Sequence, residues 1–212
     1  ETFFSYFQKR PEVGMRFGGM MEAVAGGKPM WAEYYPVQER LKSTTSDDEV
    51  LVVDIGGGKG HDIAGFKARN PELKGRLILQ ELPYLASKVK LEGIETMAHD
   101  FNTEQPVKGA QAYFMHQIMQ DYNDDTCIHI LKQIVPAMRS GHSKLLICDL
   151  ILSNRDAHWL TTTLDLELMQ VLASRSRTEN EFRKIVEAAG LTISGIYKHP
   201  QGYDSVIEAV LP

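Results

Sequence analysis

The sequence predicts an α/β fold in which a mostly parallel sheet carries helices on both faces. Three observations predict it. Apolar runs of strand length alternate with helix-patterned segments along most of the chain. The first such run leads straight into a glycine loop, Gly56-Gly57-Gly58-Lys59-Gly60, and then a helix pattern. The last two runs are joined by a link too short for a parallel crossover.

Residues 1–45 read as a helical lead-in. Phe3, Phe4, Phe7, Phe17, Met20, Met21 and Val24 recur at helical spacing, and Pro11 and Gly14 interrupt them, which predicts two short amphipathic helices. After the breaker Gly26-Gly27-Lys28-Pro29, a helical stretch containing Trp31, Tyr34 and Tyr35 leads to a polar turn over 42–49. Strands are expected at Val50–Ile55, Leu77–Gln80, Glu95–His99, Ala112–Met115 and Leu145–Leu150. Helices are expected near Asp62–Asn70, Pro83–Leu91, Asp124–Val135, Asp165–Leu172 and Glu179–Ala189. The runs Leu191–Tyr197 and Ser205–Val210 should form an antiparallel hairpin, which reverses the last strand. Residues 46–212 therefore read as one domain.

Bulk properties narrow the function classes. The composition is that of an ordinary soluble globular protein, and a net charge of −5 offers no basic footprint for nucleic acid. No apolar run is long enough to span a membrane. Cys127 and Cys148 are too few for a disulfide framework and have apolar neighbours, so buried free thiols and a cytoplasmic location are expected. The chain starts at Glu1 with neither an initiator methionine nor a signal-peptide pattern, and reads as part of a longer protein.

The most specific local signal is the run Val52-Val53-Asp54-Ile55 entering the glycine loop. A mere tight turn needs one glycine rather than four. A dinucleotide fingerprint counted from Gly56 would need glycine at position 61, which is His61. Glu81, at the end of the second strand, is placed to accept hydrogen bonds from both hydroxyls of a ribose. Asp100-Phe101, after the third strand, offers a carboxylate for an adenine amino group and a ring for stacking, or an ordinary turn with a core aromatic.

Five segments occur in an order that resembles a known family: Asp54 to Gly60, Glu81-Leu82-Pro83, His99-Asp100-Phe101, Gln120 to Cys127, and Arg177 to Phe182. They are similar to the successive motifs of the class I, caffeate-type O-methyltransferases, particularly the fungal secondary-metabolism branch. The resemblance covers nearly the whole chain. It implies a Rossmann-like fold with a seven-stranded sheet, and S-adenosylmethionine or S-adenosylhomocysteine as the ligand. Asp54, Gly56, Gly58, Glu81, Leu82, Asp100, Phe101 and His116 would line the cofactor site. A small aromatic or polyketide-like molecule would be the substrate. It further implies a homodimer in the full-length protein, formed through an N-terminal helical domain of which residues 1–45 would be the linker.

Methyl transfer to a neutral hydroxyl requires a proton acceptor. The family uses the histidine of a His-Asp-Trp motif, but the aligned residues here are Gln120-Asp121-Tyr122, and a glutamine amide is no base near neutral pH. Ser174-Arg175-Ser176-Arg177-Thr178 resembles the family's Gly-Lys/Arg-Glu-Arg-Thr, with Ser176 replacing the glutamate that orients the histidine, while Asp149 matches the other supporting acid. Three explanations follow. The chain methylates an acidic hydroxyl or uses another base, with His116, four residues before Gln120, as the local substitute or else a structural histidine; His158 is a further pocket candidate or a loop histidine. Alternatively it binds the cofactor and catalyses a pericyclic reaction, the sulfonium acting as a fixed charge and Gln120 as a donor, or it is an inactive scaffold. By resemblance Met20, Met21, Trp31, Met119, Asp165 and Met169 would surround the acceptor, each also readable as core.

Overall fold

The computed structural model describes residues 6, 9–42, 46, 48–199 and 204–212, with the backbone alone at 11, 15, 18, 21, 22, 24 and 25. The expectations placed on Phe3, Phe4 and Phe7, on the side chains of Met21 and Val24, and on Pro200–Tyr203 of the last link lie outside the described residues.

The lead-in contributes α1 (Pro11–Gly26), α2 (Trp31–Tyr34) and α3 (Val37–Arg40). Helix α1 runs unbroken through Gly14, contrary to expectation. Pro11 opens the helix, where its missing N–H costs nothing, and one interior glycine costs only about 1 kcal/mol.

Strands β1 (Val50–Ile55), β2 (Arg76–Glu81), β3 (Glu95–Ala98), β4 (Ala112–His116) and β5 (Lys144–Leu152) are parallel neighbours, and β7 (Thr192–Lys198) and β8 (Asp204–Val210) close the sheet. Their order is β3-β2-β1-β4-β5-β8-β7, with β8 antiparallel to both β5 and β7, as the hairpin reading expects. The two-residue β6 (Arg177–Thr178) adds a short parallel pairing beside Ile151 and Leu152.

Connecting these strands are α4 (His61–Arg69), α5 (Pro83–Ala86), α6 (Asp124–Ile134), α7 (Trp159–Leu172) and α8 (Glu179–Ala188). Helix α5 stops short of the expected Leu91, because Leu91 bridges to Ile94 and lays its side chain against Gly60. Helix α7 starts earlier than expected, and His158 is its N-cap, accepting from the Leu160 N–H at 3.3 Å, so this histidine is occupied as a cap. No helix among the described residues is long and apolar enough to cross a membrane.

The strand period of two sorts alternate residues into two cores. Tyr113, Met115, Leu145 and Ile147 pack with Cys127, Ile130, Phe182 and Ile185 of α6 and α8. Ala112, Phe114, Leu146 and Cys148 pack with Trp31, Tyr35, Ile63 and Phe66. Both cysteines are buried and free. With both faces covered, ligand access is left to the carboxyl ends of the strands.

Candidate active site

The glycine loop leaves β1 at its carboxyl end and feeds α4. Gly57 lies directly on the fully buried carboxylate of Asp54, and a Cβ there would collide with it. Burial, followed by Asp62 and Glu81, pushes the pKa of Asp54 well up, and His116 and the Ile63 N–H oppose the rise. Gly58 has φ +60° and nothing within 4 Å of where a Cβ would sit, so the loop turns a bare backbone toward open space.

Glu81 ends β2 and spans the gap to that loop, accepting the Gly58 N–H at 3.0 Å and the Leu82 N–H at 2.8 Å. Burial raises its pKa, and the two N–H groups partly offset the rise. Each carboxylate oxygen has one donor and keeps capacity for another, as a pair of ribose hydroxyls requires. Asp100 is exposed and forms a turn, its Oδ1 accepting from both Asn102 nitrogens at 2.9 Å. The Phe101 ring borders Gly56 and meets Tyr122 edge-on, centroids 5.9 Å apart. Glycine loop, Glu81, Leu82, Asp100 and Phe101 are thus gathered at one end of the sheet, and they fit an adenosyl group.

The same corner holds the residues aligned with the family's base. After β4 the chain makes a 3-10 turn, Met119–Asp121. Arg177, 1% exposed, clamps this turn from beneath, donating to Met119 O at 2.5 Å, Tyr122 O at 2.6 Å and Asp124 Oδ1 at 2.8 Å. The Ser174 hydroxyl donates to Gln120 O. Among the described residues the half-buried Gln120 amide makes no hydrogen bond. Behind the turn, Asp149 in β5 and Ser176 before β6 are buried, and neither carboxylate oxygen of Asp149 nor the Ser176 hydroxyl has a partner among the described residues. Burial holds Asp149 protonated well above the usual carboxylate range; Asp121 and Asp204 add to this while His116 and Arg177 oppose it. Asp121 is raised to about 7 by burial.

His116 ends β4 with Nδ1 2.8 Å from Asp62 and Nε2 3.5 Å from Asp204, which also binds Lys28 at 3.0 Å. Burial alone would lower its pKa, but Cys148 and the carboxylates of Asp62 and Asp204 outweigh that and hold it well above 6.5. An imidazolium with both nitrogens facing carboxylates has no lone pair for a substrate proton. The expectation that His116 could substitute as base is corrected: it is an ionic tie between α4, β4 and β8.

Two proposed acceptor-wall residues are likewise corrected. Trp31 is 2% exposed, stacked between Phe66 and Phe114 at centroid distances of 5.3 and 4.5 Å, and belongs to the core. Met119 is fully buried in the other core and offers only its carbonyl to Arg177 and Cys127. Met20 and Met169 are 50% and 56% exposed, so neither side chain is packed into a wall among the described residues. Asp165 spends Oδ1 on the Ser176 N–H at 2.6 Å. A surface hollow lined by Asp48, Arg76, Pro106 and Arg139 lies at the amino ends of β1 and β2, the opposite end of the sheet from these groups.

Asp121 and the clamp residues Ser174 and Arg177 were not singled out for these roles by the sequence. Their motif positions were visible, but nothing in the spacing shows which carboxylates lack partners.

Residues 37–192 match the family model of the O-methyltransferase domain. Methyltransferase cfoC of Aspergillus candidus is 36% identical over 212 residues, covering 98% of this chain and 53% of that protein. The chain thus spans about half the length of this relative. Demethylsterigmatocystin 6-O-methyltransferase stcP of Emericella nidulans is 36% identical, covering 86% of this chain and 89% of that protein. Among solved structures, LepI in complex with SAM superposes with a TM-score of 0.89 at 30% identity, covering all of this chain and 55% of that one. A structure described as a pericyclic reaction enzyme superposes with a TM-score of 0.88, also at 30% identity, covering 99% of this chain and 55% of that one.

Proposed function

The chain belongs to the O-methyltransferase family, and on that premise we propose that it binds S-adenosylmethionine and methylates a hydroxyl of a small aromatic or polyketide-like molecule. The observation that carries this reading is Glu81, whose carboxylate joins β2 to the Gly58 N–H beside open loop backbone, contiguous through Phe101 and Tyr122 with the turn that bears Gln120. When bound, S-adenosylmethionine supplies a methyl group on a positively charged sulfur, a leaving group that needs no acid.

The chain's own residues do the rest. Glu81 holds the ribose, Gly56 to Gly58 give the ligand close backbone approach, and Phe101 offers a ring face or edge. Asp100 is the nearby carboxylate for an adenine amino group. Gln120, whose amide makes no hydrogen bond among the described residues, orients the acceptor oxygen, and Arg177 with Ser174 fixes the turn on which it rides. In the full-length protein the family resemblance supports a homodimer, with residues 1–45 leading from the dimerising part. Sedimentation of that protein at twice the monomer mass checks this.

A second reading has one observation in its favour: a glutamine where the family has its base. In it the cofactor stays bound as a fixed charge and the site catalyses a pericyclic step without methylation, in line with the likeness to the pericyclic reaction enzyme. Incubating the full-length protein with methyl-labelled S-adenosylmethionine and a panel of phenolic and polyketide acceptors separates the two. Methyl transfer predicts label in product from the unsubstituted protein. Label only from the Gln120→His, Ser176→Glu double variant would overturn it in favour of diverted chemistry.

A further inference from the structure

If the site methylates a hydroxyl, the proton must go somewhere, and the structure has disposed of the two groups first considered. Gln120 has no basic atom, and His116 lies between Asp62 and Asp204, which hold its pKa above the ordinary imidazole value and make it a poor proton acceptor. Four other acids of this region are engaged. Glu81 accepts two N–H groups, Asp124 holds Arg177, Asp165 holds the Ser176 N–H, and Asp204 holds Lys28.

Asp121 is different. It sits beside Gln120 on the 3-10 turn, half-buried, with no side-chain hydrogen bond among the described residues. The groups facing it are Tyr122 on its own turn and Asp149 from β5. Arg177 beneath the turn is committed to backbone carbonyls and Asp124. Asp165 of α7 reaches this corner through the Ser176 N–H. An independent observation marks the spot as built for more than packing: both Asp149 oxygens and the Ser176 hydroxyl are buried without partners among the described residues. Natural interiors leave few such atoms unsatisfied.

We propose that Asp121 is the proton acceptor of this site, standing in for the absent histidine from the next position of the same 3-10 turn. The proposal rests on the methyl-transfer reading. The acceptor's O–H bond breaks, its proton passes to a carboxylate oxygen of Asp121, and the oxygen's electron pair forms the bond to the methyl carbon. The C–S bond breaks with its electrons going to sulfur, leaving a neutral thioether. Asp121 then returns the proton to water. Two carboxyls in one desolvated corner do not both ionise, so Asp149 stays protonated while Asp121, the more accessible, titrates. Burial places that titration at about 7, where a base is half available and its conjugate acid still weak.

Two measurements on the full-length protein test it. With carbon-13 carboxyl-labelled aspartate and no methyl donor, the NMR signal missing from the Asp121→Asn variant should titrate near neutrality in the unsubstituted protein. Titration in the ordinary carboxylate range overturns the proposal. The second measurement is labelled methyl transfer to 2-naphthol, neutral at pH 8, and to 4-nitrophenol, largely ionised there. Asp121→Asn should lose about 100-fold or more on 2-naphthol and far less on 4-nitrophenol. Equal loss on both means a positioning role, and no loss on 2-naphthol means no role; either overturns it. Unchanged S-adenosylhomocysteine affinity in Asp121→Asn shows that the variant is folded. If the unsubstituted protein labels neither phenol nor any acceptor of the wider panel, the methyl-transfer reading fails and takes this one with it. Loss of the acidity dependence alone removes only the base.

Discussion

Glu81 shows how much one side chain at a strand end can hold. Its carboxylate ties the glycine loop to β2 through the Gly58 and Leu82 N–H groups, and each oxygen keeps capacity for the ribose hydroxyl proposed to bind there. Glu81→Gln keeps the shape but replaces charged acceptors with one neutral acceptor and an amide NH2 that repels those donors. Charge-assisted hydrogen bonds contribute roughly 1.5–3 kcal/mol. S-adenosylhomocysteine affinity should therefore fall about 10- to 100-fold by calorimetry, with far-UV circular dichroism unchanged.

Asp121 carries a pH signature of its own. Its folded pKa, about 7, lies above the unfolded value, so the folded state binds more protons between them. The stability this contributes is complete below about pH 4 and is lost as pH rises through about 7. Asn is a near-isostere of the protonated acid and escapes the loss. Urea titrations should show Asp121→Asn gaining on the unsubstituted protein between pH 5 and pH 8, by about 2 kcal/mol once solvent screening is discounted. Asp204 runs the other way. Burial would raise it, but His116 and Lys28 hold it at about 2, so its contribution is full above about pH 4 and is lost as the pH falls through about 2.

At the scale of elements, the 3-10 turn Met119–Asp121 is too short to hold itself and depends on a side chain from far along the chain. Arg177 reaches it because β6 pairs with β5, which sets the guanidinium under the carbonyls of Met119 and Tyr122. The fork of Arg177 meets three acceptors at once, which a lysine ammonium on a single-point stem does not reproduce. Arg177→Lys should cost roughly 2–4 kcal/mol, read as a lower melting temperature. Amide exchange should speed up at residues 119–122 more than elsewhere. Helix α8 starts well regardless, because Thr178 and Glu181 form a capping box of their own.

Over the whole molecule, apolar residues divide between two cores and an outer helix face. Trp31 is enclosed by Phe66 and Phe114, so Trp31→Ala should destabilise by about 3–5 kcal/mol in chemical denaturation. Met169 on α7 stands with Trp159, Leu166 and Val171 on the outside, and Met169→Ala should shift stability by less than about 0.5 kcal/mol. A pair of costs in the opposite order would mean the lead-in does not pack under the sheet as described.

By itself the sequence determined the alternation of strands and helices, the final hairpin, the glycine loop with its ribose acid, and the loss of the usual base. These are readable because periodicity, turn chemistry and motif spacing are local: a residue and its neighbours along the chain carry them. Only the tertiary structure decided that Trp31 and Met119 are core, that His116 lies between the carboxylates of Asp62 and Asp204, and that Asp121 makes no side-chain hydrogen bond among the described residues. Each of those depends on contacts remote in sequence, such as His116 with Asp62, 54 residues away, or Arg177 with Met119, 58 away. Burial and charge state are set by everything that surrounds a group in three dimensions, and no pattern of spacing along one chain encodes that.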